Sequence, residues 1–244
     1  MSFARPGPFR HRFTRHHRRR LDRRRVSLLE RHSVNASKEN ISMQIINCQQ
    51  NSPEWFEARR GIPTASQFAT VMAKGEGKTR RTYMMKLAGE IITGKPMDSF
   101  SNAHTERGHE FEPEARDLYA FQTGAQIERV GFIRNGRTGA SPDSLIGTDG
   151  GAEIKTKLPH LLGELILKDE FPPEHKAQVQ GTLWISKRQW WEIAVYWPGM
   201  PLFVKRVQRD EPYIQKIATE VDKFNAELDE VVAEIRRRGE VIAA

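Results

Sequence analysis

The 244-residue chain predicts an α/β (α+β) architecture, a central mixed sheet flanked by helices. Three observations predict it. Residues 126–134, 139–147, 152–157, 190–197 and 201–208 read as strands, with Asn135-Gly136 and Asp149-Gly150 as turns. Apolar residues at helical spacing precede these strands, interrupt them at His175 to Ile185, and follow them from Tyr213 to Ile235. No stretch approaches the roughly 20 apolar residues that span a bilayer, and the basic N-terminus is not followed by an apolar segment, so a soluble, intracellular protein without a membrane partner is expected.

Composition narrows the chemistry. The net charge of +8 suggests nucleic acid, but residues 1–42 hold 12 Lys and Arg against three acids, leaving 27 against 28 in residues 43–244. The basic excess therefore belongs to the N-terminal segment. Its runs Arg18-Arg19-Arg20 and Arg23-Arg24-Arg25 repel one another, and it lacks the apolar residues for a core, so disorder is expected. It reads either as a phosphate-binding arm or localisation signal, or, as the favoured reading, as dispensable, or even as upstream sequence ahead of a start at Met43. Residues 43–244 read as a single domain. Cys48 is the only cysteine, which excludes an intrachain disulfide, a cysteine-built zinc site and a four-cysteine iron–sulfur cluster. A metal would have to sit on oxygen ligands.

In chain order, Gln44 to Gln49 is a short edge strand. Ser52-Pro53-Glu54 supplies an N-cap, a first-turn proline and an acid for a helix bearing Trp55, Phe56, Ala58 and Arg59. After Gly61-Ile62-Pro63, Thr64-Ala65-Ser66-Gln67 has the form of a capping box opening another helix. Ser66 in that first turn, beside Arg59, would make a phosphate pocket; the bland alternative is a capping serine and a surface ion pair. Gly75-Glu76-Gly77-Lys78-Thr79 is a loop rather than a P-loop, because Met72 stands where the motif needs glycine and a helix precedes it.

Thr79 is expected to cap a helix through Tyr83, Met84, Leu87, Ala88 and Ile91 that stops at Gly94. Phe111, Ala115, Leu118, Tyr119 and Phe121 predict a further helix, which Pro113 should start or kink. Of Glu110, Glu112 and Glu114, two should face solvent. Trp190-Trp191 and Tyr196-Trp197 read as sheet packing, and Lys155-Thr156-Lys157 as the start of a loop reaching Pro173. Tyr213, Ile214, Ile217, Val221, Phe224, Leu228, Val231 and Ile235 make a long amphipathic C-terminal helix.

The chemistry-bearing stretch is Ser141 to Lys157, SPDSLIGTDGGAEIKTK. Alternation on a strand points Glu153 and Lys155 one way and Ile154 into the core. The Asp-Gly turn folds the Asp143 segment back beside them. Two carboxylates and an ammonium then converge, which suits a hard divalent cation and an activated water. Alone, such a string is also what an ordinary charged strand face looks like.

Five strings in order resemble the phage lambda exonuclease-like family, the YqaJ-type viral recombinases of the PD-(D/E)XK nuclease superfamily. They are Trp55-x-x-x-Arg59-x-Gly61-Ile62-x-Thr64-Ala65-Ser66, Gly108-x-x-x-Glu112-x-x-Ala115-Arg116, Ser141-Pro142-Asp143, Glu153-x-Lys155 and Ala177-Gln178-Val179-Gln180. The resemblance implies a restriction-endonuclease-like core in which Asp143, Glu153 and the Ile154 carbonyl hold magnesium, with manganese as a substitute, and Glu112 completes the acidic site. It implies that Lys155 positions or deprotonates the attacking water and that Gln178 orients that water or the lysine. Arg59, Ser66 and Ser141 match positions that hold a 5′-terminal phosphate. Ser144, where glycine often follows the aspartate, and Thr156-Lys157, where some members carry Cys-Pro, depart from the pattern without altering a ligand.

The implied activity is a magnesium-dependent double-strand DNA exonuclease that digests from 5′-phosphorylated ends and leaves 3′ single strands for recombination. The resemblance also implies a homotrimer around DNA ends, a single-strand annealing partner, and phage or prophage origin with action in the host cytoplasm. A related endonuclease or RecB-type nuclease is the alternative within the enzyme class. A catalytically silent DNA-binding module using the Arg-rich segment is the alternative outside it.

Overall fold

A computed structural model describes residues 42–73, 78–97 and 103–243, with side chains described from Glu110 to Glu240 in the last stretch. The basic segment up to residue 41 and most of the Gly75–Thr79 loop lie outside the described residues. The strands are β1 (Gln44–Ile46), β2 (Ile127–Glu128), β3 (Phe132–Asn135), β4 (Thr138–Ala140), β5 (Ser144–Ile146), β6 (Gly150–Thr156), β7 (Trp190–Tyr196) and β8 (Phe203–Gln208). The helices are α1 (Pro53–Arg59), α2 (Phe68–Val71), α3 (Lys78–Thr93), α4 (Ala103–Thr123), α5 (Pro159–Lys168), α6 (Lys176–Ser186) and α7 (Glu211–Ala243).

The strands form two sheets, an antiparallel β1-β3-β4 and a mixed β2-β5-β6-β7-β8. Only β6 and β7 pair in parallel within the second sheet, so the chain must cross over between them, and α5 and α6 make that crossing. Each long predicted strand around residue 140 is in fact two strands. The chain leaves β4 at Ala140, passes through Ser141-Pro142-Asp143, and enters the other sheet at Ser144. The three residues of that passage are therefore freed from ladder pairing.

Alternation along β7 sorts the core. Trp191, Ile193 and Val195 face the side covered by α5, α6 and α7, whereas Ala194 and Tyr196 meet Ala115 and Tyr119 of α4 on the other side. The sequence expectation for α7 holds as far as Leu228, with Ile214, Ile217, Val221, Phe224 and Leu228 buried at three- and four-residue spacing, after which Val232 is buried in place of Val231 and Ile235 is exposed. Ser52 caps α1 by accepting the Trp55 N–H at 3.3 Å.

Several local expectations change. The Thr64 capping box does not form: Ala65–Gln67 is a 3₁₀ turn without a side-chain cap, and α2 behind it is four residues long. Thr79 lies within α3 rather than capping it. Pro113 neither starts nor ends α4, which runs through it, and Phe121 is 86% exposed rather than on the buried face. Residues 159–168, expected as loop, form α5, with Pro159 at its first position and Leu162 and Leu165 buried. The β5–β6 register, Ile146 against Gly150, makes the hairpin loop Gly147-Thr148-Asp149. The positive φ falls on Gly147 at 53°, not on Gly150, so glycine meets the steric demand three residues earlier than the Asp-Gly signal suggests. The β3–β4 turn likewise centres on Gly136-Arg137, one residue later than expected.

Candidate active site

The hairpin sets Asp143 one residue before the β5–β6 ladder, beside Glu153. The Ile154 N–H donates to Asp143 Oδ2 at 2.6 Å, so backbone geometry fixes the carboxylate. Glu153 is 3% exposed. Its Oε1 receives Lys155 Nζ at 2.6 Å and also the Gln178 Nε2 donor, which α6 brings in from the crossover. A buried carboxylate is costly unless paired and hydrogen-bonded, and these two donors meet that requirement.

The charges act on one another. Burial, followed by the Glu153 and Glu112 charges, pushes the Asp143 carboxyl well up, opposed by Lys155 and the Ile154 N–H. For Lys155, burial works to lower the pKa, but Glu153, Asp143 and Glu112 together outweigh it and the net shift is upward. Lys155 is accordingly an ammonium in this arrangement. Glu112, on α4, is hydrogen-bonded by the Arg116 guanidinium one turn on. As expected of the three glutamates there, Glu110 and Glu114 are the exposed pair.

Among the described residues no three His, Cys, Asp or Glu side chains form a ready metal cage. The donor chemistry nevertheless fits a hard divalent cation: Asp143 and Glu153 are adjacent oxygen donors next to the Ile154 peptide, and Glu112 adds negative charge within electrostatic reach. A cavity of about 590 Å³ opens over Asp143 and Glu112, with Arg116, Arg129 and Gln50 in its wall.

A second cluster lies at Ser141. Its Oγ accepts from Arg59 Nη1 at 2.9 Å and from Trp55 Nε1 at 2.9 Å. The guanidinium stacks over the Trp55 ring at 3.9 Å from the centroid, and the indole N–H also reaches the Gly131 carbonyl at 3.1 Å. Burial lowers the pKa of Arg59, though a guanidinium keeps its charge regardless. Ser66 is exposed on the 3₁₀ turn, with its Oγ 3.3 Å from Thr64 Oγ1, and makes no contact with Arg59 or Ser141 among the described hydrogen bonds. The structure thus unites Asp143, Glu153, Ile154, Lys155 and Gln178, sets Glu112 at their edge, and joins Arg59 to Ser141.

Sequence reasoning missed several supporting residues. Trp55 was visible, four residues before Arg59 and so on the same helix face. Gln50, whose Nε2 donates to the Pro142 carbonyl at 3.1 Å and so secures the Ser141–Asp143 passage, gave no signal, since its partner lies 92 residues away.

Strand-pair carboxylates with a lysine two residues on, in a mixed sheet between helices, fit a nuclease, and the similarities that follow make the chain a deoxyribonuclease. The YqaJ-like viral recombinase domain matches residues 54–189, more than half of the 244, and the chain belongs to that family. Among solved structures it is similar to an alkaline exonuclease, LHK-Exo, from Laribacter hongkongensis. The identity is 34% and the TM-score 0.71, covering 78% of this chain and 100% of that one. The same enzyme in complex with dAMP gives 35% and 0.72 over the same shares. A phage-related exonuclease from Haemophilus somnus 129PT, 14% identical with a TM-score of 0.55 over 71% of this chain and 96% of that one, shares the fold. No curated protein matches the chain.

Proposed function

We propose that the chain is a magnesium-dependent exonuclease that degrades one strand of duplex DNA from a 5′-phosphorylated end, 5′ to 3′. The observation that carries this reading is the spacing of the two clusters along one short segment: Ser141, which Arg59 holds, and Asp143, which lines the carboxylate site, are two residues apart. Two residues of chain span at most about 7 Å. That is comparable with the distance between neighbouring phosphates on a strand, so a terminal phosphate on Arg59 and Ser141 sets the next phosphodiester at Asp143 and Glu153. Removal of nucleotides one at a time follows. The similarity to an alkaline exonuclease supports it.

In this reading Asp143, Glu153 and the Ile154 carbonyl hold the magnesium, with Glu112 adding charge. Bound there, the ion supplies neutralisation of the scissile phosphate and a lowered pKa for water. Lys155, as an ammonium, positions the attacking water, and Gln178, which shares Glu153 Oε1 with it, orients the lysine. Ser66 completes the terminal-phosphate pocket, with its exposed hydroxyl turning toward bound DNA. A homotrimer around DNA, a single-strand annealing partner and recombination in a phage-infected cytoplasm are the setting the family resemblance implies. Residues 1–42 are dispensable for cleavage.

The test is digestion of linear duplex DNA with one strand end-labelled, comparing 5′-phosphate and 5′-hydroxyl ends in magnesium or EDTA. Magnesium-dependent loss of the 5′-phosphorylated strand alone is expected. Cutting of closed circles would instead make the chain an endonuclease.

A further inference from the structure

Helix α3 presents Tyr83 and Glu90 seven residues apart, about two turns along one face. Glu90 is only 5% exposed, and both of its oxygens are occupied by backbone donors: Oε2 by the Gly61 N–H at 2.8 Å and Oε1 by the Met97 N–H at 3.2 Å. The Tyr83 hydroxyl accepts the Thr64 N–H at 3.2 Å, and its ring stacks on Phe224 at 5.7 Å. Gly61 to Thr64 is the whole connection between Arg59-Arg60 and the turn carrying Ser66. One helix therefore grips both ends of that connection.

The middle is gripped as well. Gly139 donates to the Pro63 carbonyl at 3.2 Å and bridges to Thr64, two residues before Ser141. Gly61 has φ +71°, and a Cβ there would overlap Ile91 of the same helix, so the turn packs closely on α3 and calls for glycine. Arg59 and Glu90 line one cavity of about 540 Å³. Because backbone donors use both Glu90 oxygens, the carboxylate is held in place rather than left to compete for the Arg59 guanidinium.

We infer that Glu90 and Tyr83 are positioning residues for terminal-phosphate recognition, holding the Gly61–Thr64 connection so that Arg59, Ser66 and Ser141 keep one spacing. The inference rests on the proposed phosphate-binding role of those three residues. Neither Glu90 nor Tyr83 is assigned a contact with the phosphate; each holds the backbone of the connection, and both also lie within electrostatic reach of the Arg59 guanidinium.

The experiment uses the full chain and measures KM and kcat on duplexes with 5′-phosphate or 5′-hydroxyl ends, alongside thermal unfolding, for the parent, Tyr83→Phe, Glu90→Gln and Arg59→Ala. Tyr83→Phe keeps the stacked ring and deletes only the acceptor. Glu90→Gln keeps the shape but can accept only one of the two N–H groups. Each is expected to raise KM for 5′-phosphate ends about two- to tenfold, the range of one hydrogen bond, with kcat and the 5′-hydroxyl KM unchanged. Unchanged KM on both ends, or losses on both ends that merely track a lowered melting temperature, overturns the inference while the phosphate reading stands if Arg59→Ala still abolishes end preference. If Arg59→Ala keeps that preference, the phosphate reading fails and the inference with it.

Discussion

The backbone N–H of Ile154 donates to Oδ2 of Asp143 at 2.6 Å across the β5–β6 hairpin, joining residues eleven apart in sequence. A strand backbone cannot rotate away as a side chain can, so the carboxylate is held beside Glu153 in spite of their mutual repulsion. Asp143→Asn keeps an acceptor for Ile154 and removes a half-buried negative charge beside Glu153. Unfolding midpoints should stay level or rise, while DNA cleavage falls by at least about 10²-fold through lost electrostatic stabilisation. Parallel denaturation and digestion assays check this, and a variant that lost stability and activity together would contradict it.

Two glutamines on α6 separate activity from folding. Gln180, 4% exposed, donates to the Gln208 carbonyl at 2.9 Å and accepts the Asp210 N–H at 2.8 Å, tying α6 to the end of β8. Gln180→Ala strands both backbone groups and should cost about 1–3 kcal/mol of stability, with the turnover of folded enzyme preserved. Gln178 donates to Glu153 in the site. Gln178→Ala should lower kcat by up to about 10²-fold, the scale of lost orientation, and, because Lys155 still pairs with Glu153, should cost less stability than Gln180→Ala.

His175 gives the fold a pH dependence whose sign follows from its burial. Burial, and then the Lys155 charge, push its pKa down to about 4, with Glu174 opposing. The unfolded imidazole titrates near about 6.5, so between about 6.5 and 4 unfolding takes up a proton. Its contribution to stability is full above that window and is lost as the pH falls through it, at no more than about 1.4 kcal/mol per pH unit. Denaturant midpoints for the parent and His175→Gln should converge as the pH falls across this window; a constant difference would show that His175 does not titrate there.

Much of the site was legible because strand alternation and a hairpin bring Asp143, Glu153 and Lys155 together using only local rules. Gln178 and Glu112 came from the ordered family strings, since their approach depends on the β6–β7 crossover and on α4, which no local pattern fixes. Where expectations failed, tertiary contact had overridden a local signal. Thr64 gives its N–H to Tyr83 on α3 and its hydroxyl lies against Ser66, so the capping box has no partner to close on. Helix α5 lies where the sequence reads as loop, because what holds it is the burial of Leu162 and Leu165 against β7 and β8, a tertiary contact. Glu90 was illegible because a buried acid bonded to a turn 29 residues away leaves no mark on its neighbours.

The central claim is that the Glu153–Lys155 strand of the β5–β6 hairpin performs hydrolysis at a DNA end. Its most direct test is the initial rate of mononucleotide release from a linear 5′-phosphorylated duplex in magnesium, for the parent and Lys155→Ala, with DNA binding measured on the same preparations. The account predicts that the variant binds DNA ends as the parent does and releases nucleotides at least about 10³-fold more slowly. Release by Lys155→Ala at the parental rate would contradict it.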